Sequence, residues 1–317
     1  MTASLGPVSR PPRVTIGLPV HNGERYVAEA LDALLAQTFR DFELIISDNA
    51  STDRTPEICR ACAARDPRIR YERLEANIGG FRNHNRLVAS ARGEYFTWAA
   101  HDDLWNPEHL IRCVEALDRA PGAVLAFTRI RYVDANGREL PIRTVPPDMS
   151  SRDPVQRWTH ALLIEAIFDA QHGVMRTSVI RRTHLFPLHR DADCVFLGEL
   201  ALLGPFCLVD EPLFTKRMHS GQSGARYPTP NEYNAWCDPE GPPRRSFSSF
   251  ATLQGHATNL WHSHLSLGVR LSCLPALARW VFTNQYGLRH DLGLTAAQWS
   301  HRTAPRQSAA DHGMERS

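Results

Sequence analysis

Two adjacent acidic residues directly follow a short apolar run in the sequence. Asp102 and Asp103 come after the β-rich segment Tyr95–Trp98 and stand two residues before Trp105. Carboxylate oxygens are the hard ligands that Mg²⁺ and Mn²⁺ prefer, and these ions commonly share their coordination with substrate phosphates. Neighbouring carboxylates also repel one another unless a cation or hydrogen-bond donors offset their charge. The pair therefore indicates a divalent-cation site, although an N-cap for a helix beginning at Pro107 would explain one acid.

A second polar group follows the predicted strand Phe42–Ser47. Asp48, Asn49, Ser51 and Asp53 lie in one short loop and offer carboxylate, amide and hydroxyl groups. Such groups suit the hydroxyls of a ribose and the N–H groups of a base. An Asx-turn followed by a helix cap is the competing explanation for Asp53. The loop is a candidate binding segment for a nucleoside.

Other candidate binding residues lie in turns and at the end of a late extended segment. The run His21–Glu24 directly follows the predicted strand Val14–Val20. Gly79 and Gly80 would let the backbone approach a ligand closely, although a simple tight turn needs the same residues. Arg217 offers a planar fork of donors that suits phosphate oxygens.

These residues must be positioned by strands and helices that alternate along the first part of the chain. Apolar runs bounded by turn residues predict strands, and apolar residues spaced by three and four predict helices. The predicted strands are Val14–Val20, Phe42–Ser47, Arg68–Leu74, Tyr95–Trp98 and Ala123–Thr128. The predicted helices are Tyr26–Leu35, Thr55–Ala64, Phe81–Ala91 and Pro107–Arg119. The alternation predicts an α/β fold with a mainly parallel sheet flanked by helices.

The polar clusters are predicted to meet at one rim of this sheet. Ligands of such sheets bind outside the carboxyl ends of the strands. The clusters His21–Glu24, Asp48–Asp53 and His101–Asp103 each follow a predicted strand directly. We therefore expect Asp48 and Asp102 to lie on the same edge.

The second half of the chain has a less regular pattern. The predicted elements are a helix over Pro154–Phe168, a strand over Gly173–Arg182, a buried helix over Asp193–Leu203 and an extended segment over Cys207–Arg217. Residues 224–250 are rich in Pro, Gly and Ser, which predicts a loop or linker. The helical segment Leu265–Phe282 would either dock on the core or lie on a membrane surface.

The expected organisation has four parts. These are a disordered lead over 1–12, the α/β domain over 13–223, a linker with a C-terminal helical region over 224–300, and a disordered tail over 301–317. The first residues carry no apolar stretch, so we expect no secretory signal. No apolar run approaches the roughly 18–20 residues of a membrane span.

Composition narrows the class of protein. Apolar residues make up 43% and charged residues 22% of the 317 residues, as is ordinary for a globular protein. The 36 basic and 34 acidic side chains nearly balance, and no basic stripe is present, so we expect no nucleic-acid partner. Seven scattered cysteines favour reduced thiols in a cytoplasmic protein.

Taken in order, five short motifs resemble those of the inverting family 2 glycosyltransferases of the GT-A fold. The motifs are Pro19-Val-His21-Asn22-Gly23-Glu24, Ser47-Asp48-Asn49-Ala-Ser51-Thr-Asp53, Asn77-x-Gly79, Gly93-Glu94-Tyr95 and Asp102-Asp103-x-Trp105. Each is short, but their order and spacing over residues 13–220 make the set specific. The resemblance implies a GT-A, Rossmann-like sheet with a C-terminal helical extension, and a nucleotide-sugar donor held against a divalent cation, Mn²⁺ or Mg²⁺.

The resemblance also implies a reaction and a cellular setting. A hexosyl or deoxyhexosyl group would move with inversion onto the hydroxyl of a saccharide or lipid-linked acceptor. The expected process is cell-envelope polysaccharide or glycolipid synthesis. The expected location is the cytoplasm, with peripheral contact between the C-terminal region and the inner face of the membrane.

Donor-binding residues follow from the resemblance and from the polar loops. Pro19, Asn22 and Glu24 match the family's first nucleotide-contacting loop, and Asp48 matches the acid that contacts base or ribose. With the neighbouring candidates, the predicted donor-binding residues are Pro19, His21, Asn22, Glu24, Asp48, Asn49, Asp53, Gly79, Asn85, His101, Asp102 and Arg217.

Catalytic and metal-binding residues are matched in the same way. Asp102 matches the metal-binding end of the family's Asp-x-Asp, and His219 matches a late histidine of the metal site. With Asp103, these residues form the predicted metal set. Asp193 matches the base that takes the acceptor proton, and Asp191 is the reserve candidate.

The sequence departs from the family pattern at three positions. Ala100 stands where the first acid of Asp-x-Asp is usual, so His101 or Asp103 would have to complete the metal site. His84 stands where a basic residue is common, and Ala192 replaces the Glu that precedes the base.

Two alternative functions remain open. A sugar-nucleotide nucleotidyltransferase would use a similar sheet and metal, but it needs a glycine-rich basic loop after the first strand. That loop contains one glycine and Arg25 here. A non-catalytic nucleotide-sugar-binding protein is the other alternative, and Ala100 is the residue that suggests it.

Overall fold

The protein is described by a computed structural model that covers residues 10–142, 147–163, 170–241 and 247–293. The strands are β1 (Val14–Val20), β2 (Phe42–Asp48), β3 (Ile69–Arg73), β4 (Tyr95–Trp98), β5 (Leu104–Trp105), β6 (Leu125–Val133), β7 (Val174–Arg176) and β8 (Phe206–Arg217). The helices are α1 (Val27–Leu35), α2 (Thr55–Ala63), α3 (Gly80–Ser90), α4 (His109–Arg119), α5 (Pro154–Leu163), α6 (Thr177–Ile180), α7 (Ala192–Leu203), α8 (Ser223–Arg226), α9 (Pro230–Cys237), α10 (Ser248–His262) and α11 (Leu267–Thr283).

One eight-stranded sheet organises the fold, in the order β3-β2-β1-β4-β7-β6-β8-β5. The pairs β1–β2, β1–β4, β2–β3 and β6–β8 are parallel, whereas β7 and β5 run antiparallel to their neighbours. The predicted α/β fold with a mainly parallel sheet is therefore confirmed. Because β2 and β4 both lie parallel to β1, Asp48 at the end of β2 and Asp102 beyond β4 are on the same rim, as predicted.

Helices cover both faces of the sheet, which explains the continuous apolar runs of its central strands. Every residue of β1 and β2 is buried. On one face, α1, α2 and α4 contribute Val27, Leu31, Cys59, Leu110 and Leu117 to the core. On the other face, α3 and α7 contribute Phe81, Leu87, Phe196 and Leu200.

The C-terminal helices α10 and α11 pack beside this core. A third apolar cluster joins Trp158 of α5 to Leu260 of α10 and to Cys273 and Trp280 of α11. The segment predicted as Leu265–Phe282 is thus helical and contacts the rest of the protein. Within the described residues, no helix combines the length and apolar character needed to cross a membrane.

Two sequence predictions differ from the structure. The strand predicted over Gly173–Arg182 stops at Arg176 and continues as the helical turn α6. Arg176 pairs with Tyr95, the first residue of β4, so the sheet offers no further strand partner there.

The predicted loop over 224–250 also contains helical structure. Helices α8 and α9 lie within or at the edge of this segment, and α10 begins at Ser248. Thr229 and Glu232 form a reciprocal capping box at the start of α9, with Pro230 in its first turn. The capping-box residues Thr229 to Glu232 are a helix-start motif in the sequence. The Pro- and Gly-rich residues around them favour the prediction of a loop instead.

Candidate functional site

A cavity of about 760 Å³ opens at the carboxyl ends of β1 and β4. Its volume lies within the usual range of small-molecule sites. The predicted site residues that line it are Pro19, His21, Asn22, Asn49, His101, Asp102, Asp103, Asp193 and His219. The structure thus brings residues of three polar loops, the predicted base and the late histidine to one cavity.

Asp102 and His219 are in direct contact within this cavity. His219 Nε2 lies 2.8 Å from Asp102 Oδ2, and both side chains are largely buried. The ring of Tyr26 packs against His219 with 4.9 Å between centroids. Two residues that are 117 positions apart in the chain therefore present an oxygen and a nitrogen side by side.

Arg217 fixes the loop that carries the two acids. Its backbone N–H donates to Asp103 Oδ1 over 2.9 Å, and its Nε donates to the Asp102 carbonyl over 3.1 Å. Its Nη2 donates to Glu29 Oε2 over 2.7 Å, and its guanidinium lies over the Tyr26 ring. Arg217 is absent from the lining of the cavity, so its contacts position Asp102 and Asp103 rather than reach into the space where a donor would bind.

The contact between Asp102 and His219 is compatible with a divalent cation. Two adjacent ligands of an octahedral ion with bonds of about 2.1 Å are roughly 3 Å apart, close to the observed 2.8 Å. Asp103 Oδ1 instead accepts from Arg217. Among the described residues, no group of three or more His, Cys, Asp or Glu side chains is arranged to hold a metal.

The loops beneath the cavity are held together by close contacts. His21 Nδ1 lies 2.9 Å from the Asn49 carbonyl oxygen, which joins the loop after β1 to the loop after β2. The ring of His101 packs on the backbone of Gly23, where an added Cβ would lie 2.6 Å from the ring. An added Cβ would also lie 2.8 Å from Val20 Cγ2, so a larger residue at this position would force the His101 ring or Val20 to move.

Two of the predicted donor-binding residues brace these loops from outside the cavity. Glu24 Oε2 accepts from Arg54 N, and Asp53 Oδ2 accepts from Glu24 N, each over 3.0 Å. Asp53 Oδ1 also accepts from Thr55 N at the start of α2. The helix-cap explanation for Asp53 therefore has direct geometric support. Asn22 combines both roles, because it lines the cavity while its Oδ1 accepts from Thr52 N over 2.8 Å.

Three more predicted donor-binding residues also lie behind the cavity wall. Asp48 is fully buried, and its carboxylate accepts from Tyr71 Oη over 2.6 Å and from a backbone N–H of its own loop. The amide of Asn85 exchanges two hydrogen bonds with the backbone of Phe186. Gly79 has a φ of +93°, and an added Cβ there would lie 2.1 Å from the Cys237 carbonyl oxygen.

Asp193 faces the cavity from the second residue of α7. Its Oδ1 accepts from Cys194 N over 3.0 Å. Burial raises the pKa of the Asp193 carboxyl, and the negative charge of Asp191 raises it further. A carboxylate with a raised pKa is a stronger proton acceptor. Asp191 is exposed, has a φ of +64° and is absent from the cavity lining, so Asp193 is the better placed of the two candidates.

Aromatic residues of the segment 224–250 also line the cavity, and none of them is among the site residues predicted from the sequence. Tyr227, Tyr233 and Trp236 line the side near Asp193, and the Trp236 indole lies on Gly80 at the start of α3. The spacing of Tyr233 and Trp236 along α9 is the signal that would have placed them on one helix face. The positively charged lining residues, none of which is among the predicted site residues, are Arg25, Lys216 and Arg226.

Known proteins resemble this chain in sequence. The family model described as glycosyl transferase family 2 matches residues 15–182, which is more than half of the chain. An uncharacterized protein of Mycobacterium tuberculosis is 34% identical over 165 residues, covering 51% of this chain and 44% of the relative. An uncharacterized glycosyltransferase of Rickettsia typhi is 30% identical over 167 residues, covering 52% and 48%. The chain spans about half the length of these curated relatives.

Solved structures resemble it in fold. Staphylococcus aureus TarS 1-349 in complex with UDP-GlcNAc has a TM-score of 0.63 at 20% identity, covering 89% of this chain and 80% of that one. A mannosyltransferase of Pyrobaculum calidifontis in complex with GDP-Man and Mn²⁺ has a TM-score of 0.50 at 17% identity, covering 94% and 82%. At such identities the likeness concerns the fold alone, which is the GT-A fold. Because the family model matches more than half of the sequence, this chain belongs to glycosyl transferase family 2.

Proposed function

We propose that the protein transfers a sugar from a nucleoside-diphosphate donor to an acceptor hydroxyl, with inversion at the anomeric carbon. One observation carries the proposal. The Asp102–His219 pair and the Asp193 carboxylate line the same cavity, which therefore combines a site suited to a diphosphate with a group suited to take the acceptor proton. A single displacement of the diphosphate by the acceptor would invert the configuration of the sugar.

The donor would lie along the loops after β1, β2 and β4. Asn22 and His101 line the cavity there and offer amide and imidazole groups to the nucleotide. Asn49 also lines it, but its amide is hydrogen-bonded to Asn77 and to the backbone of Ile78 and Gly79, so it shapes the loop. Arg25 and Lys216 add positive charge that favours a diphosphate. UDP-sugars and GDP-sugars are the first donors to test, because the fold neighbours are complexes with UDP-GlcNAc and GDP-Man.

Asp102 and His219 would hold a divalent cation against the diphosphate. Mn²⁺ suits a site with one imidazole better than Mg²⁺ does, because Mg²⁺ prefers oxygen ligands and keeps its waters. When bound, such an ion supplies positive charge to the departing diphosphate. Arg217 contributes indirectly, because it orients the Asp102–Asp103 loop through its backbone and guanidinium hydrogen bonds.

Asp193 would take the proton from the acceptor hydroxyl. The neighbouring wall of Tyr227, Tyr233 and Trp236 offers aromatic rings against which the apolar face of a sugar can pack. The proposal therefore includes a saccharide or lipid-linked acceptor and a hexosyl or deoxyhexosyl donor, in cell-envelope polysaccharide or glycolipid synthesis. It also includes a cytoplasmic location, with the C-terminal helices in contact with the inner face of the membrane.

Measuring nucleoside diphosphate release separates this proposal from the alternatives. A panel of UDP- and GDP-sugars with Mn²⁺ should release diphosphate faster when a saccharide acceptor is added. Pyrophosphate formation from a nucleoside triphosphate and a sugar phosphate would instead indicate a nucleotidyltransferase. Donor binding without release under any condition would indicate a non-catalytic binding protein, the alternative that Ala100 in the cavity lining keeps relevant.

A further inference from the structure

Exposed apolar side chains are concentrated in the C-terminal helices. Among the described residues, eleven large apolar side chains are exposed, and eight of these lie between residues 247 and 293. These eight are Phe250, Trp261, Leu267, Leu271, Leu274, Phe282, Tyr286 and Leu292. Scattered exposed apolar residues are ordinary, but a contiguous group on one element is typical of an interaction surface.

Helix α11 divides cleanly into a buried and an exposed side. Its buried residues, Cys273, Ala276 and Trp280, pack on α5 and α10. On the opposite side, Leu267, Leu271, Leu274 and Phe282 have exposures of 59, 52, 47 and 71%. Their spacing by four, three and eight residues places them along one line of the helix surface. We call these four residues the apolar row.

The sequence that carries the apolar row is poor in acidic residues. Between residues 247 and 293 the one acidic residue is Asp291, which is buried, although acids make up roughly one in nine residues of the whole chain. The same segment contains Arg270, Arg279 and Arg289 together with four histidines. An apolar row within a stretch of sequence that carries more exposed basic than acidic residues complements a surface that is apolar inside and negatively charged outside.

Two exposed aromatic residues lie at either end of α11. Trp261 precedes the helix, and Arg270 donates to its carbonyl oxygen over 2.9 Å while the Arg270 guanidinium lies over the indole. Tyr286, with an exposure of 83%, follows the helix. Trp and Tyr are enriched where a bilayer meets water, because each has an apolar ring with one polar group.

We infer that the apolar row is the face by which the protein lies on an anionic phospholipid surface. The four side chains would insert among the acyl chains just below the headgroups, and the exposed Arg279 and Arg289 would meet lipid phosphates. Arg270 instead donates to three backbone carbonyls at the junction of α10 and α11. The inference makes the membrane contact of the proposed function specific to this face of α11, and it rests on the proposed function for that contact alone. Lipid binding can be measured without donor or acceptor, so the two can fail separately.

The test is sedimentation of the full chain with vesicles of phosphatidylcholine alone or with about 30% phosphatidylglycerol. The protein should sediment with the anionic vesicles and less with the neutral ones, and added salt should weaken binding. The double variant Leu271→Ser and Phe282→Ser should lower vesicle binding roughly tenfold or more, because two apolar side chains that would insert into the bilayer are lost. Both residues are exposed, so the fold should be preserved, as circular dichroism can verify.

Leu208→Ser is the matched control, since Leu208 is also an exposed apolar residue but lies on β8. It should bind vesicles like the unchanged protein. Equal sedimentation of the double variant and the unchanged protein would overturn the inference. So would a lipid-free dimer, seen by light scattering, that the double variant abolishes, because the apolar row would then cover a second copy of the chain. Transfer to a soluble acceptor should be unaffected by the double variant.

Discussion

Replacing Asp193 with Asn tests the acid–base half of the proposed reaction with little structural disturbance. Asn has nearly the same shape, and its side-chain oxygen can still accept from Cys194 N, the 3.0 Å contact of the native carboxylate. Asp193 is the second residue of α7, and the helix cap itself is Asp191. The substitution should therefore change the free energy of unfolding by less than about 0.5 kcal/mol.

The effect on turnover should be much larger. A positioned general base contributes about 10²–10⁴-fold to rate, which corresponds to roughly 2.7–5.5 kcal/mol of activation free energy. Asn cannot take up the acceptor proton, so this contribution should be lost. Donor affinity should stay nearly unchanged, since the predicted diphosphate site lies at Asp102 and His219. The assay is initial-rate transfer at saturating donor, with donor affinity measured separately by calorimetry.

The pH dependence gives a second, independent measure of the same group. The base must be charged to act, and its pKa is raised, so kcat/KM should fall on acidification at a pH above the usual range for Asp. The charge of Asp191 is one cause of that raised pKa. Asp191→Asn should therefore move this acid limb to lower pH while leaving the maximal rate near native.

The same two variants can also refute the assignment of Asp193 as the general base. A folded Asp193→Asn protein that transfers sugar at the native rate would remove Asp193 from the mechanism. If Asp191→Asn instead abolished turnover, Asp191 would be the base. An acid limb that stays in place in Asp191→Asn would show that the two carboxyl groups do not interact.

Three further predictions concern the cation, the cavity wall and acid stability. Asp102→Ala should abolish the Mn²⁺-stimulated part of donor binding in calorimetry, and native activity in chelator would contradict it. Gly80→Ala should raise the acceptor KM roughly tenfold, because the new Cβ would lie 2.2 Å from the Trp236 indole; an unchanged KM would refute this. Burial lowers the pKa of His256 from 6.5 to about 4, so the unfolded chain binds the proton first on acidification. Urea titrations should show up to roughly 3 kcal/mol lost between pH 6.5 and 4, with a shallower slope in His256→Leu.

The α/β architecture could be predicted because its signals are local. Each of β1, β2 and β4 is an apolar run followed by a polar turn, and the helices between them show regular apolar spacing. Strand β7 has no such signal, because its three residues are held by pairing with β4 and β6 rather than by their own pattern. Helix α9 has a local start signal, but the surrounding composition conceals it.

The rim of the site could be predicted, whereas the direction of individual side chains could not. Strand ends identify which loops converge, and the cavity lining includes residues from each of those loops. Whether a polar residue faces the cavity depends on partners far away in the chain. Asp48 is engaged by Tyr71 on the neighbouring strand, and Arg217 by Glu29, which lies 188 positions earlier. No local pattern reports such pairings.

Strand β7 is only three residues long, and its few pairings bear on the order in which the sheet forms. Only two residue pairs join β7 to β4 and two join it to β6, with Met175 in both. The group β3-β2-β1-β4 is contiguous in sequence up to residue 98, whereas β5 must wait for β8, which is more than 100 residues later. Because long-range pairing is slow, the β3-β2-β1-β4 group should form first, and the pairings of β8 with β6 and β5 should form last. Asp102 follows β4 and His219 follows β8, so the cavity is completed only when β8 has joined the sheet.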